Sequence, residues 1–226
     1  PVQNLLLEVV LYRTILGVPL DAETVIATMN PDTYAASNSL DPALADRFAM
    51  TLPVPALQNL EPDQRQAMLE VGYSGGTEPE GLAPALAGLP EFLDDVRACY
   101  KTLETDFLTA VQEYGANLLC LTHGNHPDVY ISPRRENLFV RCVLACAAYF
   151  LAAGLEVGEA LSEGAQDAIE YALAVPLDVP PELLLAYHSN LRSLLTQGHI
   201  SERDRYLLDI STCDGAKALL QYLEDT

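Results

Sequence analysis

The stretch from Leu138 to Leu155 contains a single charged residue, Arg141, in a chain with 32 acidic and 12 basic side chains and a net charge of −20. So apolar a segment in so acidic a chain has to be covered, by its own fold, by another chain or by lipid. Arg141 leaves a clean run of about 14 residues from Cys142, short of the roughly 20 that span a bilayer. No membrane span is therefore expected, and the segment reads as a buried central helix. Its alanines (Ala145, Ala147, Ala148, Ala152 and Ala153) let neighbouring helices approach closely. A homodimer through this helix fits the same pattern, so the oligomeric state stays open.

The surrounding sequence has helical period. Phe92, Val96, Cys99, Leu103, Phe107, Val111, Tyr114, Leu118 and Leu121 recur at steps of three and four, one continuous apolar stripe. Gly115 weakens that helix without ending it, whereas His123-Gly-Asn-His-Pro-Asp128 breaks it. Ser132-Pro133 starts the central helix, with a capping side chain before a proline at the first helical position. A further helix around Leu161 to Leu173 is expected to stop before Pro176. Another opens at Pro180-Pro181 and ends at Gly198, and a capping-box-like Ser201-Glu-Arg-Asp204 precedes the last one. No segment has convincing period two.

Ten of the fifteen prolines fall within residues 1–90, so helices there have to be short. They are expected near 2–16, 21–29, 31–37, 41–50, 54–59 and 61–71. The fold class is thus all-α, with short N-terminal helices and a long-helix C-terminal bundle. The organisation reads as a short-helix region over 1–71, a Gly/Pro-rich loop or linker over 72–90, and a bundle over 91–226.

Charge excludes some function classes. A nucleic-acid binder needs a basic footprint to displace counterions, and an anionic membrane repels this surface. Only Lys101 and Lys217 are lysines. The acidity keeps an apolar chain in solution, and beyond that it suits a basic protein partner or mimicry of nucleic acid. The five cysteines, odd in number and without framework spacing, fit a reducing, cytoplasmic setting. Val2 to Leu16 carries Glu8 and Arg13 and reads as a first helix and not as a signal peptide.

Four chemical signals stand beside plainer readings. Gly72-Tyr-Ser-Gly-Gly76 matches a nucleophile elbow, but that motif needs a strand and a sheet that this chain does not offer; it reads as a loop. Cys120, His123, His126 and Asp128 put four metal-ligand types within nine residues, and Cys142 and Cys146 lie one turn apart on the next helix. Zinc accepts such donors, although the spacing matches no defined zinc module, and a turn beside buried thiols explains the same residues. Asp94-Asp95, and Glu104 with Asp106, suit a helix start better than a metal cluster. His188, beside Tyr187, reads as a satisfied histidine at the core boundary.

No catalytic constellation emerges, no cofactor is expected, and zinc is the alternative. The eleven tyrosines, an interface-favoured residue type, recur along most of the long helices. The leading expectation is a non-enzymatic adaptor, assembly factor or regulatory subunit whose Tyr- or Leu-bearing face, rimmed by carboxylates, binds a basic protein. A metal- or small-molecule-binding protein centred on Cys120, His123, His126 and Asp128 is the second reading, and an acidic nucleic-acid mimic the third.

Overall fold

The computed structural model describes residues 2–21, 24–29, 42–56, 59–73 and 87–197. Its helices are α1 (Val2–Tyr12), α2 (Pro42–Ala45), α3 (Pro62–Tyr73), α4 (Leu89–Asn125), α5 (Pro133–Ala152), α6 (Val157–Ala168), α7 (Val175–Leu177) and α8 (Pro181–Gln197). A π-helical stretch, Ile169–Ala174, joins α6 to α7, and a small antiparallel ribbon, β1 (Thr14–Ile15) and β2 (Val18–Pro19), follows α1. The architecture is an all-α bundle.

The apolar stripe becomes α4, one unbroken helix of 37 residues. At about 1.5 Å per residue it is roughly 55 Å long, so it overhangs its shorter neighbours. Leu103, Val111, Tyr114, Leu118 and Leu121 are buried, while Leu89 and Leu93 on the overhang stay exposed. Gly115 holds its place by packing: a Cβ there would lie 3.2 Å from Val140 Cγ2 of α5.

Helix α5 carries the apolar segment to the centre of the bundle. Ser132 caps it, its hydroxyl accepting the Arg135 N–H at 3.0 Å, with Pro133 in the first turn. Phe139, Val140, Cys142, Val143, Leu144, Ala147 and Ala148 are buried, and the exposed line runs through Arg134, Asn137, Arg141, Ala145 and Tyr149. The chain's own α4 and α6 pack against it. Ala147 serves the close approach expected of these alanines, because a Cβ on Gly164 of α6 would lie 2.4 Å from its backbone nitrogen, whereas Ala145 and Ala153 are exposed.

The segment after α6 departs from expectation. Pro176 does not stop the helix; the chain shifts to π register over Ile169–Ala174 and carries on to Leu177. Proline lacks an N–H and presses on the carbonyl four residues back, and the wider register accommodates both defects. The Val175 N–H accordingly reaches back five residues to the Glu170 carbonyl. Asp178, at φ 54°, then ends the helix in the left-handed region.

The N-terminal expectations fare less well. Helix α1 stops at Tyr12, not near 16, and residues 14–19 form a ribbon that no period-two signal announced. Leu16 (φ 50°) and Gly17 (φ 78°) make a two-residue turn with both φ values positive, the combination that matches strand twist. Glu8 stabilises that turn by accepting Thr14 Oγ1 at 2.8 Å, Gly17 N at 2.7 Å and Leu16 N at 3.2 Å. The Gly17 bond foremost, then that of Thr14, lowers its carboxyl pKa. The helix expected over 41–50 shrinks to the single turn of α2. Residues 24–29 and 54–56 are irregular instead of helical, whereas 61–71 forms α3. Pro53 and Pro55 each drive the preceding residue away from helical angles, and pieces this short do not nucleate helix alone. The expected helix at 31–37, the Ser201–Asp204 cap and the last helix lie outside the described residues.

Residues 43–51 form a strap across the bundle. Arg135, 2% exposed, donates to Asp46 Oδ1 (3.2 Å), to the carbonyls of Phe48 (3.0 Å) and Ala45 (3.1 Å), and more distantly to Ala172 (3.4 Å). Ser132 Oγ donates to Asp46 Oδ2 at 2.6 Å, and Cys142 Sγ to the Ala49 carbonyl at 3.6 Å. The Thr51 N–H donates to the Tyr171 carbonyl at 2.8 Å.

Candidate functional site

The last turns of α4 determine the site. Thr122 turns its hydroxyl back on the Leu118 carbonyl at 2.8 Å, Asn125 bonds the Leu121 carbonyl at 2.8 Å, and His126 N reaches Thr122 O at 2.8 Å. His126 (φ −132°, ψ 70°) leaves helical angles immediately before Pro127, as a residue preceding proline is biased to do. The Val129 N–H closes a turn on the His126 carbonyl at 3.0 Å, and the chain runs from there to the Ser132 cap of α5.

Between that connection and α4 lies an open groove of about 770 Å³. Its lining is mainly apolar, with Ala116 and Leu119 from α4 and Val129 and Ile131 from the connection. Tyr130 lines it too and is 81% exposed. Asp128 and Glu136 add carboxylates. An apolar floor with an exposed aromatic and an acidic edge can take up apolar side chains and favours a basic flank on what binds.

The four candidate metal ligands divide. Cys120, His123 and Asp128 all line the groove and are exposed, while His126 is half-buried and is not part of the lining. Among the described residues no group of three or more His, Cys, Asp or Glu side chains is placed to hold a metal ion. Cys142 and Cys146 do not join the groove. Burial, opposed by Arg135, pushes the Cys142 thiol up to about 11; burial first, then Cys142 and Asp167, pushes Cys146 to about 12. Both stay protonated near neutrality and pack as small apolar groups.

His188 belongs to a polar network inside the bundle. Its Nδ1 lies 2.8 Å from the Tyr114 hydroxyl and its Nε2 3.3 Å from Ser162 Oγ, so one imidazole ties α8 to α4 and α6. Burial first, then the Arg192 charge, lowers its pKa to about 4. The ring is therefore neutral near pH 7, with one nitrogen donating and the other accepting in either tautomer, and both hydroxyls are served. The arrangement suits structure better than nucleophilic catalysis: so weakly basic an imidazole is a poor general base. Tyr114, whose hydroxyl pKa is raised by burial, supplies no anion to steady an imidazolium. Sequence reasoning placed His188 at the core boundary but missed both partners. The available signal was Tyr114 on the inward stripe, since a buried tyrosine hydroxyl needs a partner.

The other singled-out residues take ordinary places. Asp94 pairs with exposed Arg97 at 2.8 Å near the start of α4, and Asp95, Glu104 and Asp106 are exposed. Gly72 and Tyr73 end α3, and Ser74 lies outside the described residues. Among the described residues no helix is long and apolar enough to cross a membrane. Compared with family models, with curated proteins and with solved structures, the chain matches none. The class rests on fold and site alone: an all-α bundle with an open apolar groove at one helix end.

Proposed function

We propose that the protein is a non-enzymatic binding protein, an adaptor, assembly factor or regulatory subunit, that uses the groove between α4 and the 127–133 connection. The observation that carries this reading is Tyr130, 81% exposed over an apolar floor. Exposed tyrosine beside apolar surface is the composition of protein interfaces. Asp128 and Glu136, with the net charge of −20, favour a partner segment with an apolar anchor and basic flanks. The test is a photo-crosslinking amino acid at position 130, compared with the same label at exposed Glu113 on α4. A discrete protein adduct at 130 and none at 113 supports the reading; no adduct, or the same adducts at both, refutes it.

A second reading has one observation in its favour, that Cys120, His123 and Asp128 share this groove. A zinc ion there would draw on those three, with His126 adjacent in sequence. Elemental analysis of untagged protein decides it: stoichiometric metal lost in His123→Ala supports zinc, and sub-stoichiometric metal unchanged by that substitution removes it.

A further inference from the structure

The two walls of the groove at Tyr130 differ in what their main chain has left to offer. Ala116, Leu119 and Cys120 stand on α4, whose backbone groups bond to one another. Val129 to Ser132, on the other side, belong to no helix or strand, and Ser132 is extended (φ −78°, ψ 151°). The Val129 N–H is spent on the turn to His126, and the Ser132 carbonyl accepts the Glu136 N–H at 3.3 Å. Between these two bonds, the Val129 carbonyl, both main-chain groups of Tyr130 and of Ile131, and the Ser132 N–H bond to none of the described residues.

That difference selects the shape of an occupant. A surface laid over 129–132 strips water from the open groups, which is costly unless it brings hydrogen-bond partners of its own. A helix brings few, since its main-chain groups are spent within it. An extended segment has donors and acceptors free along its edge, and two extended chains side by side satisfy each other. Its side chains alternate between two faces, so every second one can meet the apolar floor. Charge selects the source of the segment. The lining holds two carboxylates, Asp128 and Glu136, and neither Lys nor Arg. A second copy, with a net charge of −20, brings more carboxylates to these two, whereas a basic segment of another protein complements them.

We infer that the partner segment binds in extended form, paired main chain to main chain with residues 129–132. Apolar side chains at alternate positions lie on the groove floor, and Lys or Arg stands beside Asp128 and Glu136. This mode of binding rests on the groove being the interface and adds how the segment is read. The main-chain bonds tolerate changes of sequence, and the alternate apolar positions with their basic flanks supply the selectivity.

The probe is a library of random twelve-residue peptides displayed on phage, selected on the full chain and counter-selected on Tyr130→Ala. Tyr130 is 81% exposed, so its removal leaves the core intact. Enriched peptides are expected to alternate apolar residues with others, to carry Lys or Arg, and to bind the full chain at least tenfold more tightly than Tyr130→Ala in fluorescence anisotropy. Each is then made in two forms, N-methylated at its odd or at its even residues, because a methyl group removes the donors along one edge of an extended chain. One form is expected to bind at least tenfold more weakly than the parent peptide and the other about as well. No enrichment, an equal effect of the two methylations, or apolar residues at helical spacing overturns extended pairing. A crosslinked adduct at position 130 beside any of these results keeps the groove as an interface, whereas its absence removes the groove reading itself. A chain mass that doubles with concentration, and does not in Tyr130→Ala, assigns the groove to a second copy and overturns the partner.

Discussion

Replacing Gly164 by alanine puts a methyl group where the structure has no room for one. The new Cβ would lie 2.4 Å from the Ala147 nitrogen, 2.8 Å from its Cα and 2.9 Å from its Cβ. None of these atoms is the end of a flexible side chain, so α5 and α6 have to separate by about 1 Å to reach ordinary contact distance. Two effects compete. Alanine is the better helix former by roughly 1 kcal/mol, whereas forcing open a packed helix crossing costs about 3 kcal/mol or more when backbone must move. Packing wins, and the net loss is about 2 kcal/mol. In a chain this long that lowers the melting temperature by roughly 4–8 °C. The internal control is Gly124, in the last turn of α4, where an added Cβ meets nothing within 4 Å. There Gly124→Ala gains about 0.5 kcal/mol from propensity alone. Urea midpoints of the two variants should move in opposite directions. A Gly164→Ala variant as stable as the parent would refute the close-crossing argument.

Removing the Tyr114 hydroxyl as Tyr114→Phe leaves His188 Nδ1 without its 2.8 Å partner, and should cost about 1–2 kcal/mol in urea denaturation; an unchanged midpoint counts against the network. His188 itself gives a pH signature. With its pKa near 4 in the fold and about 6.5 unfolded, the unfolded chain binds the extra proton between those values. Stability therefore falls as pH drops from about 7 to 4 and levels off below, by about 3 kcal/mol in all. The stability gap between the parent and His188→Gln should narrow by that amount toward pH 4, and a constant gap contradicts it. Arg135→Lys keeps the charge but cannot span Asp46 and two carbonyls with one ammonium. It should lose about 2 kcal/mol and speed tryptic cleavage after Arg47; unchanged cleavage would show that Arg135 does not hold the strap.

The bundle was legible in the sequence because its helices are long enough for period to show. The α4 stripe, the Ser132-Pro133 start of α5 and the Pro181 start of α8 are local signals that the tertiary structure keeps. The N-terminal part was not, because there the same apolar content is cut by prolines into pieces whose conformation depends on outside partners. The 14–19 ribbon rests on the Glu8 carboxylate reaching six to nine residues ahead, and the strap rests on Arg135, some 90 positions on. No window of local sequence contains both halves of such an interaction. The candidate groove was legible in part. Cys120, His123 and Asp128 drew attention as ligands, and the helix end that carries them does form a concavity. Tyr130 and Ile131, which add to that concavity's apolar lining, lie between the helices and carry no periodic signal in the sequence.

Pro176 shows most clearly why a correct local rule produced a wrong boundary. The rule that proline ends a helix rests on a missing donor and a steric clash, and both are present here. What the rule omits is where the unsatisfied carbonyls go. In α register the acceptor orphaned by Pro176 is Ala172 O; in π register it is Tyr171 O. Those two carbonyls receive Arg135 Nη1 and the Thr51 N–H. The helix survives its proline because the strap and the buried arginine satisfy the acceptors that the proline leaves. The converse also holds: a residue with an N–H at position 176 would compete with Thr51 for the same oxygen. Proline at 176 therefore leaves the Tyr171 carbonyl to the Thr51 N–H, and the same defect that shifts the register helps seat the strap.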